Sequence, residues 1–312
     1  MELHIAGNFQ QKLRSISKFI GSTPLYPLPS IIEAETISIH AKLEWQQFGG
    51  SVKSRPAFNI IKDAVNQGQL RRGKILLDAS SGNTAVAYAS IGAALGISVA
   101  ICLPANASLE RKQLLAALGA EIIYTSELGS TDEAQEKASE LFNRNPERYF
   151  YADQYNNDSN WKAHYDHTAE EIWEQTKGQV THFVTGLGTT GSFSGISKRL
   201  KERNPAIRTI ALQPDSAMHI LEGWKHLETA KTPGIIKHAI IDETIEVDSY
   251  EALEMIKRVA SKEGLLISPS SAANLVGAEM VAKSAQSGVI VTLFPDNAEK
   301  YSDVLKSIYH EQ

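Results

Sequence analysis

Lys53 stands in "FGGSVKSRPAFN", residues 48–59, behind two glycines and a small polar residue. A helix-forming run follows at once, with Pro56 at its start. A lysine that only solubilises a surface needs no such joint. A lysine amine is a nucleophile only when unprotonated, and an unperturbed one titrates at about 10.4. Burial in a glycine-lined pocket at a helix start lowers that value and releases the amine for covalent chemistry. Three further stretches, "SSGNT" (80–84), "GLGTTGS" (186–192) and "LLISPSSAAN" (265–274), have a similar make-up. Each is a loop of Gly, Ser, Thr or Asn running into a helix pattern. Helix N-termini present unbonded N–H groups and a partial positive charge, so they suit anions. Any one of these loops reads as an ordinary N-cap. Three of them, together with Lys53, predict a pocket for a small anionic group.

"GLGTTG" also fits G-x-G-x-x-G at Gly186, Gly188 and Gly191, with Asp215 a suitable distance downstream. A dinucleotide-dependent oxidoreductase is therefore a rival reading. It is not a Walker A loop, since Ser192 occupies the position where that motif needs lysine. The dinucleotide reading leaves Lys53 and "SSGNT" without a role.

These residues must be held by an alternation of strands and helices. "KILLDA" (74–79), "ISVAICL" (97–103), "AEIIYT" (120–125), "VTHFVT" (180–185), "IRTIALQ" (207–213) and "GVIVTLF" (288–294) read as strands. Helices are predicted between them, including 108–118, 160–175 and one capped by Asp248 and Glu251. Ser130 and Glu133 form a capping box for another, to about Asn143. Apolar strands between amphipathic helices mean parallel sheets covered on both faces. The expected fold class is α/β: two open, twisted, mainly parallel-sheet domains. The expected division is residues 40–148 against residues 1–39 and 149–312. Ligands of such folds bind beyond the carboxyl ends of strands, where the loops named above lie.

Composition narrows the function classes. Of 312 residues, 31 are Lys or Arg and 36 Asp or Glu, a net charge of −5. That balance argues against a nucleic-acid partner, which calls for a basic stripe. The single cysteine, Cys102, allows no internal disulfide and suits a reducing, cytoplasmic compartment. "MELHIAGNFQQKLRS" has neither the apolar stretch nor the cleavage site of a signal peptide. The uncharged run from Ala79 is rich in Ala, Ser and Gly and breaks at Gly96, so it reads as helix then strand rather than as a membrane span. His164 and His167 lie one turn apart but have no third ligand at suitable spacing, so no metal is expected. Cys102 reads as core and "KRLKER" (198–203) as a solvated helix face.

In order and spacing, these segments resemble the pyridoxal-phosphate-dependent cysteine synthases, the O-acetylserine sulfhydrylases. "GGSVKSRPA" is similar to that family's G-S-V-K-D-R, "SSGNTA" to T-S-G-N-T-G, and "GLGTTGS" to its phosphate loop in the form typical of B-type enzymes. "SPSSAAN" sits where the family has G-[IV]-S-S-G; "AKLEWQQFGG", "QYNNDSNWKAHY" and "PDNAEKYSD" match in order. The resemblance spans Gly21 to Tyr301. It implies a fold-type II pyridoxal-phosphate enzyme, the shorter domain binding substrate and the longer one the cofactor phosphate. It further implies that Lys53 forms the Schiff base with pyridoxal 5′-phosphate and shuttles the proton. Asn83 would bond the ring hydroxyl; Gly188, Thr189, Thr190, Gly191 and Ser192 would cradle the phosphate; Ser270 would face the pyridine nitrogen. Ser80, Ser81, Asn83 and Thr84 would hold the substrate carboxylate, with Gln154 nearby. The partners implied are an activated serine, a sulfur donor and a second copy of the chain in a homodimer. The implied reaction is β-replacement through α-aminoacrylate, giving L-cysteine. A neutral serine opposite the ring nitrogen leads us to expect that nitrogen unprotonated, which suits elimination and addition over transamination.

The pattern departs from the family at Ser54, Ser80, Ala85, Ser268, Pro269, Ala272 and Asn297. These changes touch pocket loops. They keep open a β-replacement with another nucleophile, such as diaminopropionate formation, and a catalytically weak cofactor-binding regulator. Lys225 and His226, in "EGWKHLETAKTPGI", are candidates for tuning the leaving group or sulfur donor.

Overall fold

The computed structural model describes residues 2–32, 34–127 and 131–309. The strands are β1 (Leu25–Pro27), β2 (Ile37–Leu43), β3 (Ile75–Ala79), β4 (Val99–Pro104), β5 (Glu121–Thr125), β6 (Tyr149–Tyr151), β7 (Val180–Gly186), β8 (Arg208–Pro214), β9 (Glu243–Val247) and β10 (Gly288–Phe294). They form two sheets in two compact units. One unit takes the chain up to Gly21 and Gln47–Asn160; the other takes Ser22–Gln46 and the chain from Trp161 onward. This differs from the expected ranges at three places, each with a structural reason. The helix Glu2–Ser17 belongs to the first unit, where Leu13 and Ile16 join the core of Ile60, Leu76 and Ile91. β2 pairs with β10, so residues up to Gln46 go to the second unit. β6 pairs with β3, so the first unit runs past Arg148 to Asn160.

The first unit has a four-stranded, wholly parallel sheet in the order β5-β4-β3-β6. Its central strands β3 and β4 are almost wholly buried, as their uninterrupted apolar runs require. The order reverses between β3 and β6. The second unit has six strands in the order β1-β2-β10-β7-β8-β9, parallel except for β1. Its order reverses between β7 and β10. Such reversals open a crevice at the carboxyl ends of the strands flanking them.

The six strands read from the sequence are present within one or two residues. β2, by contrast, is hidden in the sequence by Lys42. That side chain is fully buried, donates to Thr23 O at 2.7 Å and pairs with Glu171 at 2.7 Å. β9 is missed because it is a largely exposed edge strand with two glutamates. Ser130, half of the expected capping box, lies outside the described residues; Glu133 accepts a hydrogen bond from the Ser126 N–H instead.

The helix expected over 160–175 is interrupted. It runs as α-helix at Asp158–Ala163, widens to a π-turn at His164–Thr168 and resumes at Ala169–Gln175. Within the second unit, the backbone of Gly195 lies directly against the widened turn. A Cβ at Gly195 would overlap Trp161 O and would stand 2.7 Å from Tyr165 N. Gly195→Ala is therefore expected to destabilise the protein by about 1–3 kcal/mol, the usual range for overpacking. Urea unfolding measures it; a midpoint equal to the parent's would show that the contact yields at no cost.

Candidate active site

In the first unit, Lys53 is the N-cap residue of the helix Ser54–Asn66 and is half-buried. Gly49 and Gly50 in front of it take positive φ values of 86° and 64°, which favour glycine. Gly49 also carries the close packing of the joint, since a Cβ there would come 2.6 Å from Ser54 Oγ.

The loop "SSGNT" leaves the carboxyl end of β3 at the order reversal. Ser80 is buried, and its Oγ accepts the Gly82 N–H at 3.2 Å; Ser81 and Asn83 are half-buried. The helix Asn83–Leu95 begins with Gly82 as N-cap and so lacks a side-chain cap. Gln154, three residues past β6, closes the other side of the reversal. Its Oε1 accepts from Thr84 Oγ1 at 2.7 Å and its Nε2 donates to Ala79 O at 2.9 Å. Asn160 Nδ2 in turn donates to Gln154 O at 2.6 Å. The structure thus brings Thr84 and Gln154 together, with both side chains buried.

Arg111 is a residue that sequence reasoning missed. It is 3% exposed, and its Nη1 donates to Asn83 Oδ1 at 3.1 Å. A guanidinium only donates, so the amide is fixed with its oxygen toward Arg111 and its NH2 turned away. Nothing in "SLERKQLLAAL" distinguishes this arginine from a solvated one.

Asp78, two residues before Ser80, is the second omission. It is fully buried; its Oδ1 accepts the Ala79 N–H at 2.9 Å, and the buried Tyr88 hydroxyl faces the carboxyl. Burial pushes its carboxyl from an ordinary 3.8 up to about 7, against the Ala79 N–H and with help from Asp153. Burial and the neighbouring Asp78 also push the Cys102 thiol up to about 12, which makes it an inert core residue.

In the second unit, the loop after β7 leads into the helix Gly191–Arg203. Its N-cap, Thr190, has φ +67° and makes no side-chain cap. Thr190 Oγ1 is buried without a hydrogen-bond partner, although Thr189 Oγ1 accepts from the Gly191 N–H at 3.4 Å. Thr189, Thr190 and Gly191 are buried and Gly188 and Ser192 half-buried. An uncapped helix start with an unpartnered hydroxyl fits a phosphate dianion. The first glycines of the apparent dinucleotide motif serve the chain itself. A Cβ at Gly186 would overlap the Trp224 ring, and one at Gly188 would overlap Gly223 O. The adjoining Lys225 N–H donates to Leu187 O at 2.8 Å, so the 223–225 segment lies against this loop.

Ser270 reaches the same end of the sheet through Asn274, one helical turn along. Asn274 Oδ1 accepts from Gly186 N at 2.7 Å and Thr185 Oγ1 at 3.3 Å, and its Nδ2 donates to Leu293 O at 2.8 Å. The altered residues around Ser270 build a regular helix start. Ser268 is the N-cap in extended backbone at φ −71°, Pro269 opens the helix Pro269–Ser284, and no positive φ is required there.

Residues 16–296 match the family described as pyridoxal-phosphate dependent enzyme. The chain is 43% identical over 300 residues to a cysteine synthase of Aquifex aeolicus, covering 94% of this chain and 92% of that one. It is 34% identical to cysteine synthase B of Escherichia coli, over 93% and 94% of the two chains. A hydrogen sulfide-producing enzyme of Fusobacterium nucleatum superposes with a TM-score of 0.86 at 33% identity, over 92% of this chain and 98% of that one. The chain belongs to the pyridoxal-phosphate-dependent enzyme family, and pyridoxal phosphate is its cofactor. The dinucleotide reading of the glycine loop is thereby set aside.

Two outcomes test this geometry. Gly188→Ala is expected to weaken cofactor retention about tenfold or more, the equivalent of the lower overpacking costs; absorbance during equilibrium titration with pyridoxal phosphate reads it. For Asp78, the sign follows from linkage. Its folded value lies above its unfolded one, so between about pH 4 and pH 7 the unfolded chain releases a proton that the folded chain keeps. Stability falls through that window and levels off above it. Asp78→Asn is expected to gain little at pH 4 and about 2–4 kcal/mol at pH 7 relative to the parent in urea unfolding. A gain independent of pH would show that Asp78 does not carry the shift.

Proposed function

We propose that this chain makes L-cysteine by β-replacement, exchanging the acetate or phosphate of an activated serine for a sulfur nucleophile. The observation that carries the reading is the uncapped helix start at Thr190, whose buried hydroxyl has no partner, in a chain that also holds Lys53 at a helix N-terminus. The likeness to cysteine synthases over more than nine-tenths of the chain supports it.

When bound, the cofactor supplies an electron sink for the amino acid's α-carbon. The chain's residues do the rest. Gly188, Thr189, Thr190, Gly191 and Ser192 hold the phosphate through backbone N–H groups and hydroxyls. The Asn83 amide NH2, oriented by Arg111, would serve the ring hydroxyl, and Ser270 would serve the ring nitrogen. Lys53 Nζ would hold the cofactor, and its amine would take the α-proton and return it to the product. Ser80, Ser81, Asn83 and Thr84 bind the substrate carboxylate through hydroxyls, an amide and the uncapped helix start at Asn83. Gln154 braces Thr84 from behind. The first unit is then the substrate-binding one and the second the phosphate-binding one. Lys225 and His226, beside the phosphate loop, tune the leaving group or sulfur donor.

The working form proposed is a cytoplasmic homodimer. Cys102 as the sole cysteine fits a reducing compartment, and among the described residues no helix is long and apolar enough to cross a membrane.

Borohydride reduction of the yellow protein followed by peptide mapping is expected to place the pyridoxyl label on Lys53; a label elsewhere overturns the assignment. Lys53→Ala is expected to lower cysteine formation by at least about 10³, within the range for a lost proton-transfer group. Rates with O-acetylserine or O-phosphoserine, each with sulfide or thiosulfate, identify leaving group and donor. Turnover with none of them, but with an amine nucleophile, would replace cysteine formation by the related β-replacement.

A further inference from the structure

Two buried polar side chains bracket the loop proposed to hold the substrate carboxylate. Asp78 stands two residues before Ser80, and Tyr88 stands four residues after Thr84, in the helix Asn83–Leu95. Both are fully buried. The Tyr88 hydroxyl faces the Asp78 carboxyl and makes no hydrogen bond elsewhere. Asp78 Oδ1 accepts the Ala79 N–H at 2.9 Å, and the Gln154 N–H faces the same carboxyl. The carboxyl therefore sits where β3, the helix Asn83–Leu95 and the Gln154 segment meet, at the base of the loop.

No step of the proposed reaction uses this carboxyl, but its charge bears on the loop. Two residues of chain span at most about 7 Å. A charge on Asp78 is therefore close to an anion held by Ser80, and salt screens buried charges little. An ionised Asp78 and a bound carboxylate both draw on the field of the uncapped helix start at Asn83, and they repel each other. Protonation changes little else. A neutral carboxyl still accepts through its carbonyl oxygen, so the Ala79 contact survives. We infer that Asp78 is a positioning residue coupled to the substrate: neutral Asp78 lets the Ser80–Thr84 loop take the substrate carboxylate, ionised Asp78 opposes it, and binding draws a proton from solvent onto Asp78.

The other titratable groups around Asp78 are Tyr88, Tyr151, Asp153, Tyr155 and Cys102. Burial and the charge of Asp78 itself push the three tyrosines up from 10.0 and the Cys102 thiol up to about 12, so these four stay neutral at neutral pH. Asp153 raises Asp78 further. At one remove, Lys137 and Glu121 act on Cys102, and Asp132 acts on Tyr155. Asp78, pushed up by burial to about 7, changes charge across neutrality. A bound carboxylate disfavours its ionised form and raises that value more. Affinity is therefore full below about pH 6, where Asp78 is neutral with or without ligand. It falls as pH rises through about 7 and levels off above the value of the bound form.

The test compares holoenzyme carrying Asp78→Asn with the parent, reading L-serine binding by the cofactor's absorbance across neutral pH. Asparagine keeps an oxygen for the Ala79 N–H and cannot ionise. Every other titrating group is common to the two proteins, so the ratio of their dissociation constants isolates residue 78. From about pH 6 to about pH 8 the parent is expected to lose about fivefold or more in affinity relative to the variant, the lower end of usual coupling between sites. Tyr88→Phe removes a hydroxyl that favours the ionised form, so it is expected to move the step to higher pH. In weakly buffered solution near neutrality, L-serine is expected to draw more protons onto the parent than onto Asp78→Asn. A merely structural role for Asp78 would give a ratio independent of pH. Such a ratio, equal proton uptake, or a step that Tyr88→Phe leaves in place overturns the inference. The inference rests on the functional reading. Holoenzyme labelled at Lys53 that binds L-serine with a flat ratio sinks the inference alone. A borohydride label elsewhere, or no L-serine binding at any pH, sinks the functional reading and the inference with it.

Discussion

Asn274 is the side chain on which the second unit's half of the site depends. It is almost wholly buried and spans the reversal of strand order, bonding the last residues of β7 on one side and Leu293 of β10 on the other. A parallel sheet that reverses its order must leave a gap in the backbone hydrogen bonding just beyond the two diverging strands. Polar groups left in that gap are costly unless something satisfies them. Asn274 does so from a helix, and in doing so sets the register of that helix against the sheet. Ser270 lies one turn before it, so the position of Ser270 relative to the glycine loop follows from a bond made elsewhere.

The first unit solves the same problem with Gln154. The reversal lies between β3 and β6, and an amide side chain again spans it, here to Ala79 O and Thr84. In both units the groups proposed to meet cofactor and substrate are therefore held by an amide that need not meet either. This division of labour explains why Asp78 is tolerated. Its buried carboxyl costs stability at neutral pH, but it sits at the end of β3 and bonds the Ala79 N–H, where the backbone turns out of the sheet into the Ser80–Thr84 loop.

The parts of this architecture that were legible in the sequence share a physical trait. Strands such as "GVIVTLF" are largely buried on both faces and so are mostly apolar, and the loops between them are short and rich in Gly, Ser and Thr. β2 was hidden because its burial is electrostatic: Lys42 is inside, neutralised by Glu171. The π-turn at His164 was hidden because the segment packed against it, at Gly195, is about thirty residues away. Arg111 was hidden for a related reason, since a buried arginine and a solvated one look alike until the partner is known. Residue types and local spacing report what a segment can do alone. They do not report contacts supplied by another segment, and those contacts decide the orientation of Asn83, Ser270 and Thr84.

The glycine loop shows the same limit from the opposite side. G-x-G-x-x-G is informative when its glycines make room for a pyrophosphate. Here the room at Gly186 is taken by the Trp224 ring and that at Gly188 by Gly223 O. The two glycines let the 223–225 segment lie directly on the loop, where a two-phosphate bridge would otherwise run. The sequence motif and the chemistry thus part company. Three glycines satisfy the dinucleotide pattern, but the first two of them are taken up by the segment packed on the loop.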